Sequence, residues 1–415
     1  MNTIVLGAGI AGLSYLYNAK HESVEVFEKS DRPGGLCKSF RINDFVFDSA
    51  VHLSFTENQH VRNVFDKTDF LSHLPLAYNF YEGKYIKHPV INNLFSFSPE
   101  DKCRYIESFI ERDKKKNIKN YGEWLEGSYG KEMKQDFYDK YTLKYWTKSP
   151  EKLSTSWVSH RLHNPDIHKI LSGAFSDNTD IDYYAKEMRY PFQGGFESFL
   201  HPLITPHKIY CNKMVVQIDT KKKQVFFADG KSVVYGKLVS SLPLCEMAYL
   251  VKDTPPKVKA AADRLAYSKI SIVSVGFNRP NISKHLWMYV YDKDICSARI
   301  NSPSIKSPYN VPTGCSSLQF EIYHDNHYIP NKKSILENIE YTLKKMHICQ
   351  KQDILFMDYR LLPYGNVIFY NGMEQDRALV KEYMLFKDIQ LIGRFGEWDY
   401  LWSDQSYLSG QNAIQ

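Results

Sequence analysis

Residues 3–12 read TIVLGAGIAG, an apolar run followed at once by a Gly-x-Gly-x-x-Gly pattern. The apolar run predicts a short buried strand, and residues 13–20, LSYLYNAK, predict the helix that follows it. Gly7 permits a tight turn, Gly9 lets a pyrophosphate approach the backbone, and Gly12 lets helix and strand pack closely. The helix N-terminus adds free amides and a positive dipole end, which favour phosphate. This stretch therefore predicts an α/β fold that binds a dinucleotide.

A second strand ending on an acid follows the helix. Residues 24–28 read VEVFE, so Glu28 stands 21 residues after Gly7 and can accept hydrogen bonds from ribose hydroxyls. An acid at this position disfavours a 2′-phosphate. The pattern leaves FAD and NAD as the two candidate cofactors.

A second glycine pair, Gly34 and Gly35, lies within residues 28–40, EKSDRPGGLCKSF. This extension resembles the FAD-binding start of the superfamily of amine oxidases, protoporphyrinogen oxidases and UDP-galactopyranose mutases. The resemblance implies FAD as the cofactor. The expected cofactor-binding residues in this part of the chain are Gly7, Gly9, Ile10, Ala11, Gly12, Glu28, Lys29, Gly35 and Leu36.

The composition is typical of a globular protein, and the length predicts two or three lobes. The 415 residues are 43% hydrophobic and 24% charged, and the formal net charge is +6. The lysine-rich residues 113–120 are typical of a solvated helix end, so no nucleic-acid partner is expected. No apolar run reaches the roughly 20 residues of a membrane span, and no signal peptide is recognisable. Seven widely spaced cysteines without a CxxC pair predict free thiols and a cytoplasmic protein.

The dinucleotide-binding fold is expected to be assembled from distant parts of the chain. Strand-like runs place it in residues 1–55, 190–250 and 365–415. Residues 56–190, rich in Lys, Glu, Tyr and Leu, predict a mostly helical substrate lobe, and residues 251–364 predict a β-sheet domain. The predicted fold is thus α/β: an FAD-binding Rossmann-type (GR2-like) domain with an inserted helical lobe and a second mixed or antiparallel sheet.

Six further segments resemble, in the same order, motifs of the UDP-galactopyranose mutases. These flavoenzymes interconvert the pyranose and furanose forms of a nucleotide sugar. The segments are FDSAVHLSF (47–55), LAYNFYEGKYIKHPV (76–90), KYTLKYW (140–146), YPFQGGF (190–196), SARINSP (297–303) and GRFGEWDYLWSDQ (393–405).

The resemblance implies an FAD-dependent pyranose/furanose mutase that acts on a nucleotide-diphosphate sugar, foremost a UDP-sugar, in surface glycan biosynthesis. In that family, reduced flavin is the nucleophile at the anomeric carbon, so turnover has no net redox change. An NAD(P)H or protein reductant must therefore first reduce the FAD. Family members are often dimers or tetramers, which implies a homo-oligomer.

The same resemblance assigns roles to individual residues. The implied catalytic residues are His52 beside the flavin, and Arg299 and Arg394 at the flavin and diphosphate. The closing motif adds Gly393, Arg394, Asp404 and Gln405 to the cofactor-binding set. The implied substrate-binding residues are Tyr141, Trp146, Arg189, Arg299, Tyr328 and Tyr400. No metal site is expected.

The chain departs from the family at the sugar end. Phe55 stands where the family's loop carries a second histidine, and Trp402 stands where the closing motif carries an acid. The family's substrate arginine has two candidates here, Lys186 and Arg189, and its diphosphate tyrosine is matched only by Tyr328. These departures leave the sugar open between galactose and a deoxy, amino or heptose derivative.

Two other functional classes fit the same motifs. YPFQGGF also occurs in protoporphyrinogen-oxidase-like proteins, so an FAD-dependent oxidase or desaturase is the alternative. A non-catalytic flavoprotein that binds a nucleotide sugar or a partner is the third possibility. A mutase conserves redox equivalents through turnover, an oxidase consumes oxygen, and a binding protein does neither.

Overall fold

The computed structural model describes residues 2–20, 23–113, 117–158, 162, 165–180, 182–183 and 185–414. Residues 114–116 of the lysine-rich run lie outside the described residues. The strands, in chain order, are β1 (Thr3–Leu6), β2 (Val24–Phe27), β3 (Ser39–Ile42), β4 (Phe45–Asp48), β5 (Phe70–His73), β6 (Ala77–Tyr81), β7 (Lys84–Lys87), β8 (Met188–Pro191), β9 (Ile209–Tyr210), β10 (Val215–Asp219), β11 (Gln224–Phe227), β12 (Ser232–Val234), β13 (Lys237–Ser240), β14 (Ser268–Phe277), β15 (Trp287–Val290), β16 (Arg299–Asn301), β17 (Ser316–Asp325), β18 (Ile354–Leu362) and β19 (Ile389–Leu391).

The α-helices are distributed between all parts of the chain, with a concentration in its second quarter. They are α1 (Ile10–Asn18), α2 (Gln59–Phe65), α3 (Pro99–Ile110), α4 (Tyr121–Tyr129), α5 (Lys131–Met133), α6 (Asp139–Trp146), α7 (Ile167–Phe175), α8 (Leu244–Leu250), α9 (Pro256–Arg264), α10 (Pro303–Lys306), α11 (Lys332–Lys345), α12 (Met373–Phe386), α13 (Gly393–Gly396) and α14 (Ser403–Asn412). A π-helical turn, Lys134–Tyr138, joins α5 to α6.

The first sheet is parallel, with the strand order β19-β13-β1-β2-β9. Its strands come from three distant parts of the chain, and the central strand β1 is buried throughout, as expected for a parallel strand covered on both faces. This sheet and its helices confirm the predicted α/β class with a Rossmann-like unit. Because parallel strands end at the same edge, the loops after β1, β2, β13 and β19 gather there, which is where such sheets bind ligands.

The second sheet has the order β18-β14-β17-β16-β15-β6-β7. Its pairs are antiparallel except for β15 and β6, which run parallel. β6 and β7 form a hairpin whose turn residues, Glu82 and Gly83, both have positive φ, the geometry of a tight hairpin turn. Residues 56–190 therefore supply two strands to the second sheet in addition to their helices.

The helices α3 to α7 form a lobe beside the second sheet. The side chains of Ser98 and Asn120 accept hydrogen bonds from backbone amides at the starts of α3 and α4, which stabilises each helix by about 1 kcal/mol. Near the end of α6, Lys144 Nζ donates to the carbonyls of Val290 at 3.0 Å and Asp292 at 2.6 Å. These bonds fix the last turn of α6 against the second sheet.

Within the described residues, no helix is long and apolar enough to cross a bilayer. In the same ranges, no group of three or more His, Cys, Asp or Glu side chains could hold a metal ion.

Candidate active site

A cavity of about 570 Å³ lies where the strands of the first sheet end, between that sheet, the second sheet and α6. One part of its wall is made by residues 7, 9–11, 28–30 and 34–38 together with Gly393, and we call it the glycine-loop end. Another part is made by side chains, and we call it the arginine–tyrosine end. Its members are Tyr145, Arg299, Tyr323, Arg394 and Tyr400.

The glycines of the first loop are required for different reasons. Gly7 has φ +94°, in the left-handed region that favours glycine. A Cβ on Gly12 would stand 2.0 Å from the carbonyl oxygen of Gly7, so a larger residue would push α1 off the end of β1. Among the described atoms, a Cβ on Gly9 would have only Gly35 Cα within reach, at 4.0 Å. Packing within the protein therefore leaves space at Gly9, and this space fits a pyrophosphate that approaches the backbone.

Glu28, at the end of β2, is buried and connects two loops of the glycine-loop end. Its Oε2 accepts a hydrogen bond from the Ala8 amide at 2.9 Å, and its Oε1 accepts one from the Ser30 amide at 2.9 Å. Each carboxylate oxygen can accept a further hydrogen bond. The residue is thus fixed by backbone amides while it lines the cavity, in a position that fits ribose hydroxyls.

The second glycine loop is held from outside by an acid that directly follows the YPFQGGF segment. Glu197 forms an ion pair with Arg32 and accepts a hydrogen bond from the Ser39 amide at 2.8 Å. Arg32 also donates to the carbonyl of Ser39. These contacts brace the turn at Gly35, which has φ +58° and lines the cavity.

The closing motif brings α13 and α14 against α1. Gly393 has φ +72°, and a Cβ there would lie 2.7 Å from the Cβ of Ala11. Gln405 Oε1 accepts a hydrogen bond from the Trp402 amide at 2.9 Å, which caps the start of α14, and Asp404 lies in the first turn of that helix. Gly393 lines the cavity, whereas Asp404 and Gln405 stand behind its wall and shape the segment that does line it.

Arg299 lines the cavity and is paired with a fully buried acid. Its Nε donates to Glu321 Oε2 at 2.6 Å, and its Nη2 donates to the Tyr323 hydroxyl at 2.7 Å. The other oxygen of Glu321 accepts from the Val51 amide at 2.8 Å. Burial alone would lower the pKa of Arg299, but the attraction of Glu321 outweighs it and holds the pKa above its ordinary value. Arg299 is therefore a fixed, permanently charged group.

Arg394 is held differently, by neutral groups. Its Nη2 donates to Asn366 Oδ1 at 2.7 Å and its Nη1 donates to the Leu401 carbonyl at 3.2 Å. The guanidinium carbon lies 4.7 Å from the centre of the Tyr400 ring. Among the described residues, no carboxylate pairs with Arg394, and its buried Nε has no hydrogen-bond partner. Its charge is thus available to an anion in the cavity.

Three tyrosines connect the two arginines. The hydroxyls of Tyr145 and Tyr400 are 2.8 Å apart, and Tyr323 donates to Glu321 Oε2 at 3.1 Å. The rings of Tyr145 and Tyr323 pack with their centres 4.7 Å apart. Burial raises the pKa of Tyr323 and of Tyr400 well above the ordinary value, so both hydroxyls keep their protons at neutral pH.

His52 lines the cavity on the loop after β4. Its Nδ1 lies 3.0 Å from the carbonyl oxygen of Ala50, and its ring stacks on Phe196 at 4.9 Å. Because a carbonyl only accepts, Nδ1 carries the hydrogen and Nε2 is left as an acceptor. Burial is the main cause that lowers the pKa of His52 below its ordinary 6.5, so the ring is neutral at neutral pH.

The two main departures from the mutase motifs meet in space. Phe55 and Trp402 are far apart in sequence, yet their rings pack edge to face with centres 4.8 Å apart. Both line the cavity. This aromatic pair gives the cavity an apolar wall close to the segment that carries Arg394.

Two of the residues expected to bind substrate, Tyr141 and Trp146, do not line the cavity. Trp146 is 3% exposed, and its ring packs against Trp157 at 4.6 Å and Tyr400 at 5.2 Å. The Tyr141 ring stacks on Tyr145 at 5.6 Å, also away from the cavity lining. On α6, Tyr145 faces the cavity, whereas Trp146, about 100° further around the helix, lies behind Tyr400.

Two further assignments lie outside the cavity lining. Arg189 is buried in an ion pair with Asp66, where it holds β8 to the end of α2. Lys186, the other candidate for the same role, is exposed and also absent from the lining. Tyr328 is 53% exposed and stacks on His324 at 5.5 Å, on the surface loop after β17. Arg189, Lys186 and Tyr328 therefore stand apart from the residues that line this cavity.

Comparisons with known proteins agree with this architecture. The family of NAD(P)-binding Rossmann-like domains matches residues 5–68. A reduced UDP-galactopyranose mutase superposes with a TM-score of 0.93 at 22% sequence identity, covering 100% of this chain and 94% of the other. A putative protoporphyrinogen oxidase from Exiguobacterium sp. 255-15 gives 0.75 at 13% identity, covering 100% and 97%. A putrescine oxidase redesigned in its cofactor binding gives 0.70 at 11% identity, covering 100% and 98%.

These similarities identify the fold. The whole chain has the fold of UDP-galactopyranose mutase, which confirms the resemblance that the motifs indicated. The same fold is shared, at greater distance, with an oxidase. The chemistry must therefore be argued from the cavity itself.

Sequence reasoning did not select Tyr145, Glu321, Tyr323 or Asn366. The clearest missed signal is Glu321, the acid within the apolar alternation SSLQFEIYH, because an acid inside a buried strand needs a charged partner. Tyr145 is adjacent to Trp146, and the letters alone do not say which of the two faces the cavity. Asn366 lies in a loop without a motif.

Proposed function

We propose that this chain is an FAD-dependent enzyme that, with the flavin reduced, interconverts the pyranose and furanose forms of a nucleotide-diphosphate sugar, foremost a UDP-sugar. The proposal rests on one observation: the glycine-loop end and the arginine–tyrosine end line the same cavity. The glycine-loop end fits a dinucleotide, and the arginine–tyrosine end offers fixed positive charge and protonated hydroxyls. The similarity in fold to a mutase over the whole chain supports the same reading.

FAD fits the glycine-loop end. The open space at Gly9, the braced turn at Gly35 and the carboxylate of Glu28 suit pyrophosphate and ribose. Ile10, Ala11, Lys29 and Leu36 line the same region. When bound in its reduced form, the flavin supplies a nucleophile for the anomeric carbon.

The arginines would bind and stabilise the diphosphate. Arg394 lacks a carboxylate partner among the described residues, so its charge can compensate the negative charge that develops when the anomeric bond to the diphosphate breaks. Arg299 is held rigidly by Glu321 and adds a second positive charge without reorganisation. Both charges therefore favour departure of the diphosphate and its retention in the cavity.

The neutral groups would hold protons in defined places. Tyr400 and Tyr323 keep their hydroxyl hydrogens at neutral pH and can donate to phosphate oxygens. His52 presents Nε2 as an acceptor, which suits a hydroxyl or an N–H group next to it. The aromatic walls limit the access of water, which would otherwise hydrolyse a reactive sugar.

The apolar wall of Phe55 and Trp402 bears on the choice of sugar. A buried sugar hydroxyl against the Phe55 ring would lose a hydrogen bond to water and gain none from that ring. The wall therefore favours a sugar that presents carbon–hydrogen groups there, such as a deoxy sugar, over galactose. The proposal also includes an NAD(P)H or protein reductant, a role in surface glycan synthesis, a homo-oligomer and a cytoplasmic location.

An anaerobic assay tests the proposal. The purified protein, dithionite-reduced or oxidised, is mixed with hexose and deoxyhexose derivatives of UDP and TDP, and isomers are separated by chromatography. The expected result is an isomer of unchanged mass that forms only with reduced flavin. Phe55→Gln should shift the preference from the deoxyhexose toward the hexose by about tenfold, the discrimination typical of one polar group in a pocket.

An FAD-dependent oxidase is the second candidate, because the same fold occurs in a putrescine oxidase. In that case no isomer would form from any sugar, and oxygen would be consumed with a substrate from a broader screen of amines and alcohols. That result would overturn the roles proposed for Arg394 and Tyr400.

A further inference from the structure

The end of the molecule opposite the cavity carries a second notable surface. α12 ends at Phe386, and β19 begins three residues later at Ile389. The other end of β19 leads into Gly393 and Arg394, which line the cavity. The C-terminal turn of α12 therefore lies at the edge of the first sheet that faces away from the cavity.

Two adjacent large apolar side chains protrude at this turn. Leu385 is 75% exposed and Phe386 is 80% exposed. Lys387 lies close to them, with its Nζ 5.5 Å from the ring centre of Phe386 and 5.4 Å from that of Tyr383. A protruding apolar pair beside a lysine is the arrangement that amphipathic contact with a lipid surface uses.

Lysines from two neighbouring loops surround the pair. Lys223 lies 3.4 Å from Asp388, and Lys221 lies 3.9 Å from Asp253. The Tyr383 hydroxyl of α12 donates to the Asp253 carbonyl at 3.4 Å, so both loops lie beside the end of α12. We call this surface the lysine-rich end. It comprises the apolar pair Leu385 and Phe386, the exposed Lys221, Lys222, Lys223, Lys252 and Lys257, the half-buried Lys381 and Lys387, and the acids Asp219, Asp253, Glu382 and Asp388. Three of these acids, Asp219, Asp253 and Asp388, pair with Lys252, Lys221 and Lys223.

We propose that the lysine-rich end docks the protein on an anionic lipid bilayer, with Leu385 and Phe386 inserted at the level of the headgroups. Seven lysines against four acids give the surface a positive excess, and juxtamembrane lysines are attracted by anionic headgroups. The long lysine side chains can reach phosphates while the apolar pair enters the interface. This inference goes beyond the proposed function and does not depend on it.

Exposed apolar side chains also occur elsewhere in the molecule, without a comparable lysine-rich surrounding. Phe175 is 81% exposed at the end of α7, but it is followed by Asp177 and Asp180. Lys169 of the same helix is paired with Asp182, and Lys87 contacts Thr179. These charges give no lysine excess beside Phe175, so it is not part of a comparable surface. At the lysine-rich end the apolar and basic features coincide. Docking there would leave the cavity directed away from the bilayer and accessible to water-soluble nucleotides.

Co-sedimentation with vesicles tests the proposal. Full-length, flavin-loaded protein is mixed with vesicles of phosphatidylcholine alone or of phosphatidylcholine with phosphatidylglycerol, at low and high salt. We expect binding to the phosphatidylglycerol vesicles that weakens with salt, because screening shortens the reach of the lysines. The double variant Leu385→Ser/Phe386→Ser should bind about tenfold more weakly, since it removes the inserted apolar area.

Matched variants distinguish insertion of the Leu385 and Phe386 side chains from a general attraction between lysines and the bilayer. Phe175→Ser removes an equally exposed ring elsewhere and should bind like the unmodified protein. Lys221→Glu/Lys222→Glu should weaken binding, whereas Lys332→Glu/Lys333→Glu, on α11, should have little effect. Flavin content and circular dichroism confirm that each variant is folded. Equal sedimentation with both vesicle types, or undiminished binding by the Leu385→Ser/Phe386→Ser variant, would overturn the proposal.

Discussion

The two ends of the cavity are built in different ways. The glycine-loop end is made mainly of backbone, where missing side chains leave space and positive φ angles set the turns. The arginine–tyrosine end is made of side chains that hold one another through ion pairs and hydrogen bonds. The first is specified by short-range spacing, whereas the second exists only after distant elements have packed. Mutations should therefore affect the two ends differently.

The largest effect on stability is expected behind the arginine–tyrosine end. Trp146→Ala should lower the free energy of unfolding by about 4 kcal/mol, because it leaves a cavity under Tyr400. Trp146→Phe should retain most of the stability. Urea unfolding of both variants measures the difference. A Trp146→Ala protein of normal stability and weak nucleotide affinity would instead place this ring in direct contact with the ligand.

Alanine substitutions at two glycines of the same loop should have different effects, one on folding and the other on cofactor binding. Gly12→Ala should lower the free energy of unfolding by about 3 kcal/mol, because its Cβ would collide with the carbonyl oxygen of Gly7. Gly9→Ala should change stability by no more than about 0.5 kcal/mol, since the protein leaves space there. Its flavin content should nevertheless fall sharply, because the added methyl occupies the pyrophosphate site. Thermal unfolding and the visible spectrum of the purified variants report the two effects, and full flavin content in Gly9→Ala would contradict this assignment.

The two arginines should likewise be distinguishable. Arg394→Ala should reduce turnover of the nucleotide sugar about 100-fold, equivalent to about 2.7 kcal/mol in the activation barrier. Its stability should change by only about 1 kcal/mol, because only neutral partners are lost. Arg299→Ala should lower the free energy of unfolding by about 3 kcal/mol, because Glu321 stays buried without its partner.

A control for these effects is Arg360→Ala, which removes an exposed arginine paired with Asp358. It should leave turnover unchanged and alter stability by less than about 1 kcal/mol. If Arg394→Ala lost stability and turnover in equal measure, Arg394 would be a structural residue. If Arg299→Ala were as stable as the unmodified protein, the buried pair with Glu321 would contribute nothing to folding.

The difference between the glycine-loop end and the arginine–tyrosine end explains which part of the site could be predicted from the sequence. Most of the glycine-loop end follows from residues 3–35, because strand, turn, helix and acid are adjacent in sequence and the glycines set the geometry of the turn. Gly393 and the brace from Glu197 come from distant segments. The arginine–tyrosine end combines α6, β16, β17 and the closing motif, so its geometry depends on tertiary packing. Arg299 and Arg394 were found by resemblance, but Glu321 and Tyr323, which hold Arg299, were not. The resemblance assigns Arg189 to substrate, and a motif position alone does not reveal that Asp66 lies beside it.

The smallest expected effect concerns His52, a side chain that the backbone holds in place. Its folded-state pKa is lowered below 6.5, chiefly by burial, so the unfolded chain binds more protons than the folded protein at mildly acidic pH. Its contribution to stability is therefore complete above pH 6.5 and is lost as the pH falls through the lowered pKa. Urea unfolding at pH about 7.5 and about 5.5 should show this loss, and His52→Phe, which cannot be protonated, should reduce it. If the unmodified protein and His52→Phe lost the same stability between these two pH values, the lowered pKa of His52 would not contribute, and a charged ring could exist in the cavity.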